Sequence, residues 1–179
     1  MANLDEKQIT KAKEFLPIFR TVGSMYEFDE EVNNIMTPNF GKFWFTYLLM
    51  GIGSRESHFG LLLDKNGKGD GGHGHGIMQI DDRSHAAYIA KGTWKDPASN
   101  IEYGADVWMD NFNFFCDHFD LVEDNAQLVW ASTAAYNCGA GNVKKSLLAG
   151  VGIDQRTTGH DYSADVRVRT KFLVSLGLL

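Results

Sequence analysis

Cysteine and proline are both scarce: the 179 residues contain two of the first and three of the second. Two cysteines, Cys116 and Cys138, cannot build a disulfide framework, and their spacing fits no zinc motif. Each lies in an apolar stretch, Phe114-Phe115-Cys116 and Ala134-Ala135-Tyr136-Asn137-Cys138, so both are expected as buried free thiols that pack as small hydrophobes. Positive charge is in deficit as well. Seventeen Lys and Arg against 23 Asp and Glu leave a net charge of −6, without the cationic footprint of a general nucleic-acid binder. No long apolar run is present either. The longest uncharged stretch, Asn125 to Val143, is broken by Asn, Gln, Ser, Thr and Gly and cannot span a membrane. The opening Met1-Ala2-Asn3-Leu4-Asp5-Glu6-Lys7 has acidic residues where a signal peptide needs basic ones, and no apolar segment follows, so no leader is expected. Repeats and low-complexity tracts are missing too. What remains is an ordinary globular composition, 44% hydrophobic and 22% charged, too apolar for disorder. At roughly 150 residues per domain the length predicts one domain, large enough to bury a core without disulfides or a structural metal.

The apolar pattern is mostly helical. Glu6 to Phe19 places Ile9, Ala12, Phe15, Leu16 and Phe19 at helical spacing, a packing stripe expected to stop near Pro17. Thr37-Pro38 reads as a helix start, a hydroxyl N-cap followed by proline at the first helical position. From there to about Ser57, Phe40, Phe43, Trp44, Tyr47, Leu48, Gly51 and Ile52 predict a central helix covered on most sides. The segment from Gly60 to Gly76 is different. Its seven glycines, interleaved with Asp64, Asn66 and Asp70, suit tight turns or a short irregular β-meander and no helix. Helices resume at Asp96-Pro97, carrying Ile101, Ala105, Trp108, Phe112 and Phe115 on the period, and again at Asp124, which forms a capping box with Gln127. A last helix follows Thr158 and His160-Asp161 through Val166, Val168, Phe172 and Leu173. The expected fold is α+β, mainly α: a single domain with N-terminal helices over about 1–36, a core over about 37–179, and a small irregular sheet or hairpin.

Glu56 is the residue most suited to chemistry. On a helix it shares a row with Ile52 and Leu48 and projects from the edge of an apolar face, near Gly60, which is expected to end the helix. Burial there disfavours the charged carboxylate and raises its pKa, as a general acid at neutral pH requires. A structural carboxylate neutralised by Arg55 is the plainer reading of Glu56 alone. The glycine-rich segment adds Asp70, and its end adds Asp81 in Gly76-Ile77-Met78-Gln79-Ile80-Asp81. Alone, Asp70 reads as a turn former and Asp81, beside Asp82, as a solvated loop charge. Together with Glu56 they supply an acid and separated bases, the set that glycoside hydrolysis uses. In the inverting form a gap of roughly 6.5–9.5 Å admits the attacking water.

Three stretches carry a family resemblance: Ile52-Gly53-Ser54-Arg55-Glu56-Ser57-His58-Phe59-Gly60, Gly74-His75-Gly76-Ile77-Met78-Gln79-Ile80-Asp81, and Ala135-Tyr136-Asn137-Cys138-Gly139-Ala140-Gly141-Asn142-Val143. They resemble goose-type lysozyme and, more broadly, the soluble lytic transglycosylase superfamily with its E-S, G-[LI]-M-Q and A-Y-N-x-G motifs. Asn100-Ile101 with Gly104 fits the superfamily's N-I-x-x-G, and Thr157 to Asp165 is similar to the closing segment of goose-type enzymes. The resemblance runs from about Phe40 to the C-terminus in the same motif order. It implies a lysozyme-like fold and a muramidase that cleaves the β-1,4 bond between N-acetylmuramic acid and N-acetylglucosamine. Glu56 is then the catalytic acid, with Asp70 and Asp81 positioning and activating water. Gln79, His85, Tyr136, Asn137 and Tyr162 match substrate-contacting positions; tyrosine rings and paired amides suit N-acetyl sugars. Ile77, Met78 and Ala135 are expected in the core.

Some features depart from the family pattern. Cys138 replaces the usual alanine of A-Y-N-A-G, one extra residue separates Glu56 from Asp70, and His73 and His75 replace other residue types. His-Gly-His lacks further ligands at helical spacing, so no metal and no cofactor are expected; a pH-sensitive rim to the cleft is the better expectation. The remaining expectations are peptidoglycan glycan strands as partner, no nucleic acid or membrane, a monomer, and delivery to a bacterial wall by secretion or by phage. A local basic patch at Lys144-Lys145, Arg167, Arg169 and Lys171 could offset the net charge. Alternatives are a lytic transglycosylase using Glu56 alone, a chitin-directed glycosidase, and a non-catalytic glycan-binding protein.

Overall fold

The structure, a computed structural model, describes residues 4–179; Met1 to Asn3, part of the segment in which no leader is expected, lie outside the described residues. In chain order the elements are α1 (Glu6–Gly23), α2 (Glu30–Phe40), α3 (Trp44–Ser57), β1 (Lys68–Gly69), β2 (Gly74–His75), β3 (Ile80–Asp81), α4 (Ala86–Lys91), α5 (Pro97–Cys116), α6 (Asn125–Cys138), α7 (Ala140–Leu148) and α8 (Tyr162–Ser175). The fold is α+β and mainly α. Buried apolar side chains from Leu4 to Leu173 form one continuous cluster.

Helix α3 is the axis of the molecule, packed against α1 and α8. Twelve of its 14 residues are buried, and the two that are not are Arg55 and Glu56. The apolar sequence therefore dictates a covered helix whose last turn alone reaches an open surface. Close packing relies on glycine: a Cβ on Gly51 would lie 2.4 Å from Thr170 Oγ1 of α8.

Several helix limits differ from the sequence reading. Helix α1 runs through Pro17 to Gly23, because Phe19 and Val22 continue the buried stripe and outweigh the one hydrogen bond a proline forfeits. Thr37-Pro38 does not start a helix. Both lie in the last turns of α2, which buries Met36 and Phe40, and the break comes at Gly41, with φ +81°. Gly60 does not end α3 either; His58 does, in the left-handed region at φ 51°. The His58 and Phe59 amides close back on the Ser54 and Gly53 carbonyls, both at 3.1 Å, and buried Phe59 packs edge-on against Phe19. The expected caps of α5 and α6 are present: Asp96 accepts from the Ser99 amide at 2.8 Å, and Asp124 from the Gln127 amide at 2.7 Å.

The cysteines also correct the expectation. Cys116 is exposed and Cys138 half-buried, both as free thiols, because each falls at the C-terminal end of a helix whose buried face it does not share.

The glycine-rich segment forms the small sheet, antiparallel in the order β1-β2-β3, with Lys68 opposite His75 and Gly74 opposite Asp81. Two-residue strands cannot hold themselves. Asn100, fully buried on α5, accepts from the Met78 amide at 2.8 Å and donates to the His75 carbonyl at 3.1 Å. Gly104 leaves room for Met78, since a Cβ there would meet its side chain at 2.9 Å. Ser57 Oγ donates to the Ile77 carbonyl at 2.7 Å, and Tyr136 Oη to the Met78 carbonyl at 2.9 Å. Side chains of three sequence motifs, Ser57, Asn100 and Tyr136, thus converge on the backbone of residues 75–78, which belongs to the Gly76-Ile77-Met78-Gln79 motif. Ile77, Met78 and Ala135 are buried, as expected.

Candidate active site

A cleft of about 780 Å³ opens between the sheet, the end of α3 and the C-terminal end of α6, and it is lined by Glu56, Asp70, Gln79, Asp81, His85, Tyr136, Asn137 and Tyr162. Every site residue singled out in the sequence therefore reaches one cavity. Glu56 stands at its floor, where α3 emerges from the core. Desolvation pushes its carboxyl up to about 7, against the Tyr162 hydroxyl and the Arg55 charge, which lower it, and with Asp70, which raises it. The Tyr162 hydroxyl donates to Glu56 Oε1 from a buried ring.

Arg55 does not neutralise Glu56 directly. Its guanidinium is committed to Asp165 at 2.8 Å and Asp161 at 3.0 Å, and Asp165 also takes Arg169 at 2.6 Å. This network fastens the end of α3 to α8 and keeps the guanidinium from pairing with Glu56, so desolvation prevails and the carboxyl can hold a proton.

The two aspartates have the opposite environment. Asp81 receives Arg83 through Nε at 2.9 Å, Nη2 at 2.9 Å and the backbone amide at 2.8 Å. These bonds hold its carboxyl below the usual carboxylate range against partial desolvation. The same Nη2 reaches Asp70 at 3.1 Å, so one guanidinium bridges both carboxylates. Asp70 itself occupies the left-handed region at φ 48°, at the tip of the β1–β2 turn, and is largely exposed. Asp82, grouped with Asp81 as a solvated loop charge, is bound by His73 Nδ1 at 2.9 Å and His75 Nε2 at 3.2 Å.

The remaining residues form the walls. The Gln79 side chain fills the space above Gly69 and Gly74, where a Cβ would fall 2.2 and 2.3 Å from its Oε1, and its amide nitrogen donates to the Gly76 carbonyl at 2.8 Å. Asn137 Oδ1 accepts from the Thr158 amide at 2.8 Å, tying the end of α6 to the loop before α8. His85 is paired with the Tyr103 hydroxyl at 3.1 Å, and burial lowers its pKa, favouring the neutral ring. Among the described residues no group of three or more His, Cys, Asp and Glu side chains is arranged to hold a metal ion.

The family model described as Lysozyme g matches residues 46–177 of this chain. The chain belongs to the g-type lysozyme family. It is 37% identical to lysozyme g of Gallus gallus over 130 residues, 73% of this chain and 57% of that protein. It is 35% identical to lysozyme G of Dromaius novaehollandiae over 125 residues, covering 70% and 56% of the two. Lysozyme g of Cyprinus carpio is 34% identical over 124 residues, 69% of this chain and 62% of the relative. The chain thus spans less than two thirds of the length of these curated relatives. The fold is that of the family, a mainly helical lysozyme-like α+β architecture.

Beside this g-type framework the structure adds residues that sequence reasoning did not assign to the cleft. Arg83 is the main one; a cation two positions after Asp81 was its signal. Val107, Asp110 and Asn111 also line the cleft from α5, and no local pattern marks them.

Proposed function

We propose that this g-type lysozyme chain is a glycoside hydrolase of peptidoglycan, cleaving the β-1,4 bond between N-acetylmuramic acid and N-acetylglucosamine by single displacement with inversion. The observation that carries the reading is the pair of opposite ionisation states in one cleft: Glu56 held up at about 7 and Asp81 held below the ordinary carboxylate range by Arg83. The name lysozyme g borne by the relatives supports the same substrate.

Glu56, protonated, donates to the glycosidic oxygen as the bond to the anomeric carbon breaks. A water held by Asp81 and Asp70 attacks the opposite face of the ring and gives up its proton on that side. The alcohol leaves with the Glu56 proton, and the Tyr162 hydroxyl stabilises the carboxylate left behind. Arg83 keeps Asp81 ionised without competing for Glu56. Gln79, His85 and Asn137 offer polar contacts along the walls, and Tyr136 and Tyr162 contribute ring surface.

Product analysis of purified peptidoglycan, digested with the native chain, Glu56→Gln and Asp81→Asn, tests this. The native protein is expected to release reducing-end muropeptides, and Glu56→Gln to lose about 10²–10⁴-fold in rate. Products ending in 1,6-anhydro rings replace hydrolysis with transglycosylation by Glu56 alone. Preferred turnover of chitooligosaccharides moves the substrate to chitin. Full activity in Glu56→Gln ends the assignment.

A further inference from the structure

A second cavity, of about 880 Å³, shares no lining residue with the cleft. Its walls come from α1, the turn after α3, the outer part of the sheet and the loop after α4. The sheet stands between the two concavities: Gly74, Ile80 and Asp81 line the cleft, whereas Lys68 and His75, paired across β1 and β2, line the second cavity. Its volume is within the ~300–1,000 Å³ typical of small-molecule sites.

The lining combines apolar and cationic side chains. Phe59, Ile77 and Trp94 are buried at its walls, and Leu63 stands in it next to Leu61 and Leu62, which are 41% and 60% exposed. Lys11, Lys65, Lys68 and Lys95 also line it, and no Asp or Glu does, in a chain where acidic residues outnumber basic ones. The nearby carboxylates are already engaged, two of them by the lining residues Lys11 and His75. Asp64 accepts the Asn66 and Lys68 amides at 2.7 and 2.9 Å, Glu14 pairs with Lys11 at 2.7 Å, and Asp82 holds the two histidines. Among the described residues Lys65, Lys68 and Lys95 have no ion-pair partner. His75, 2% exposed and part of the same lining, keeps its Nδ1 without a hydrogen-bond partner. A buried histidine without a protein partner for its Nδ1, apolar side chains and three lysines without an ion-pair partner thus line one cavity.

We propose that this cavity binds a single-chain anionic amphiphile, an alkyl group ending in a carboxylate or phosphate, independently of the glycan cleft. The chain lies on Phe59, Ile77 and Trp94, and the head group meets Lys65, Lys68 and Lys95. A neutral amphiphile forgoes the lysines, and a small anion forgoes the apolar wall, so neither alone reproduces the binding.

The test is titration of the isotope-labelled full chain with monomeric decanoate, followed by amide shifts, with acetate and 1-decanol in parallel. Saturable one-site shifts are expected at Gly60, Gly67, Gly76 and Gly92 and not at Thr158 or Gly139 in the cleft. The combined variant Lys65→Gln, Lys68→Gln, Lys95→Gln is expected to bind roughly tenfold more weakly, since three exposed charge contacts are lost. Lys144→Gln with Lys145→Gln is expected to bind unchanged, and acetate to give no saturable shift. Equal affinity for decanol and decanoate, shifts centred on the cleft, or an unaffected triple variant overturns the proposal. So does binding to vesicles containing an anionic lipid by a chain that ignores monomeric decanoate, which makes the lysines a membrane surface instead.

Discussion

At the scale of single residues, a hydroxyl and a guanidinium tune the proton affinities of Glu56 and Asp81 in the cleft. Tyr162 stabilises the charged form of Glu56 and so opposes the desolvation that pushes it up to about 7. Removing the hydroxyl leaves desolvation less opposed. In Tyr162→Phe the Glu56 carboxyl is expected to hold its proton to higher pH, moving the alkaline limb of the activity profile upward. An unmoved or lowered limb in kcat/KM against pH contradicts that role. Arg83 acts in the opposite sense, because it lowers Asp81. Arg83→Ala returns Asp81 toward the ordinary carboxylate range, so the acid limb is expected to move to higher pH while the alkaline limb stays. Measuring both limbs separates the two residues, because each variant displaces one side of the profile.

At the scale of elements, the site depends on how closely α3 meets its neighbours. Gly51 faces Thr170 at a distance that excludes a methyl group, and the backbone carbonyl of Val166 stands 3.1 Å from the same position. Gly51→Ala is expected to cost roughly 1–3 kcal/mol by overpacking the α3–α8 contact. Denaturant midpoints check this; a neutral result means the helices can part without loss. The same pairing brings Arg55 to Asp161 and Asp165, so a shift of α8 also disturbs the Glu56–Tyr162 contact. The sheet depends on its neighbours in a different way. Its strands are two residues long, and α3, α5 and α6 hold it by side chains bonded to the backbone of residues 75–78. Three of the sequence motifs each supply one of those anchors, through Ser57, Asn100 and Tyr136.

At the scale of the whole molecule, if the proposed function holds, the net charge of −6 opposes approach to an anionic bacterial wall. Long-range repulsion is screened as the Debye length falls from roughly 30 Å at 0.01 M to 10 Å at 0.1 M salt. Lysis of cells is expected to improve over that rise in salt; a monotonic fall from the lowest salt contradicts it. The basic patch anticipated near the C-terminus is partly committed: Arg169 is bound to Asp165, Lys144 lies over Phe114 and Arg167 over Trp130. Uncompensated lysines gather instead at the cavity beyond the sheet.

Local chemistry was enough to determine the helical periods, the caps at Asp96 and Asp124 and the glycine-rich excursion, because each leaves its mark within a few residues, whereas Glu56, Asp70 and Asp81 became candidates together through the family resemblance. The helix limits at Pro17, Thr37-Pro38 and His58 were set by burial of Phe19, Phe40 and Phe59, which the flanking residues do not reveal. Only the folded chain decided that Arg55 turns to α8 and leaves Glu56 to Tyr162, and that Arg83 bridges two aspartates. These are contacts between residues as much as 110 positions apart, and a carboxyl's proton affinity is fixed by whatever the fold brings to it.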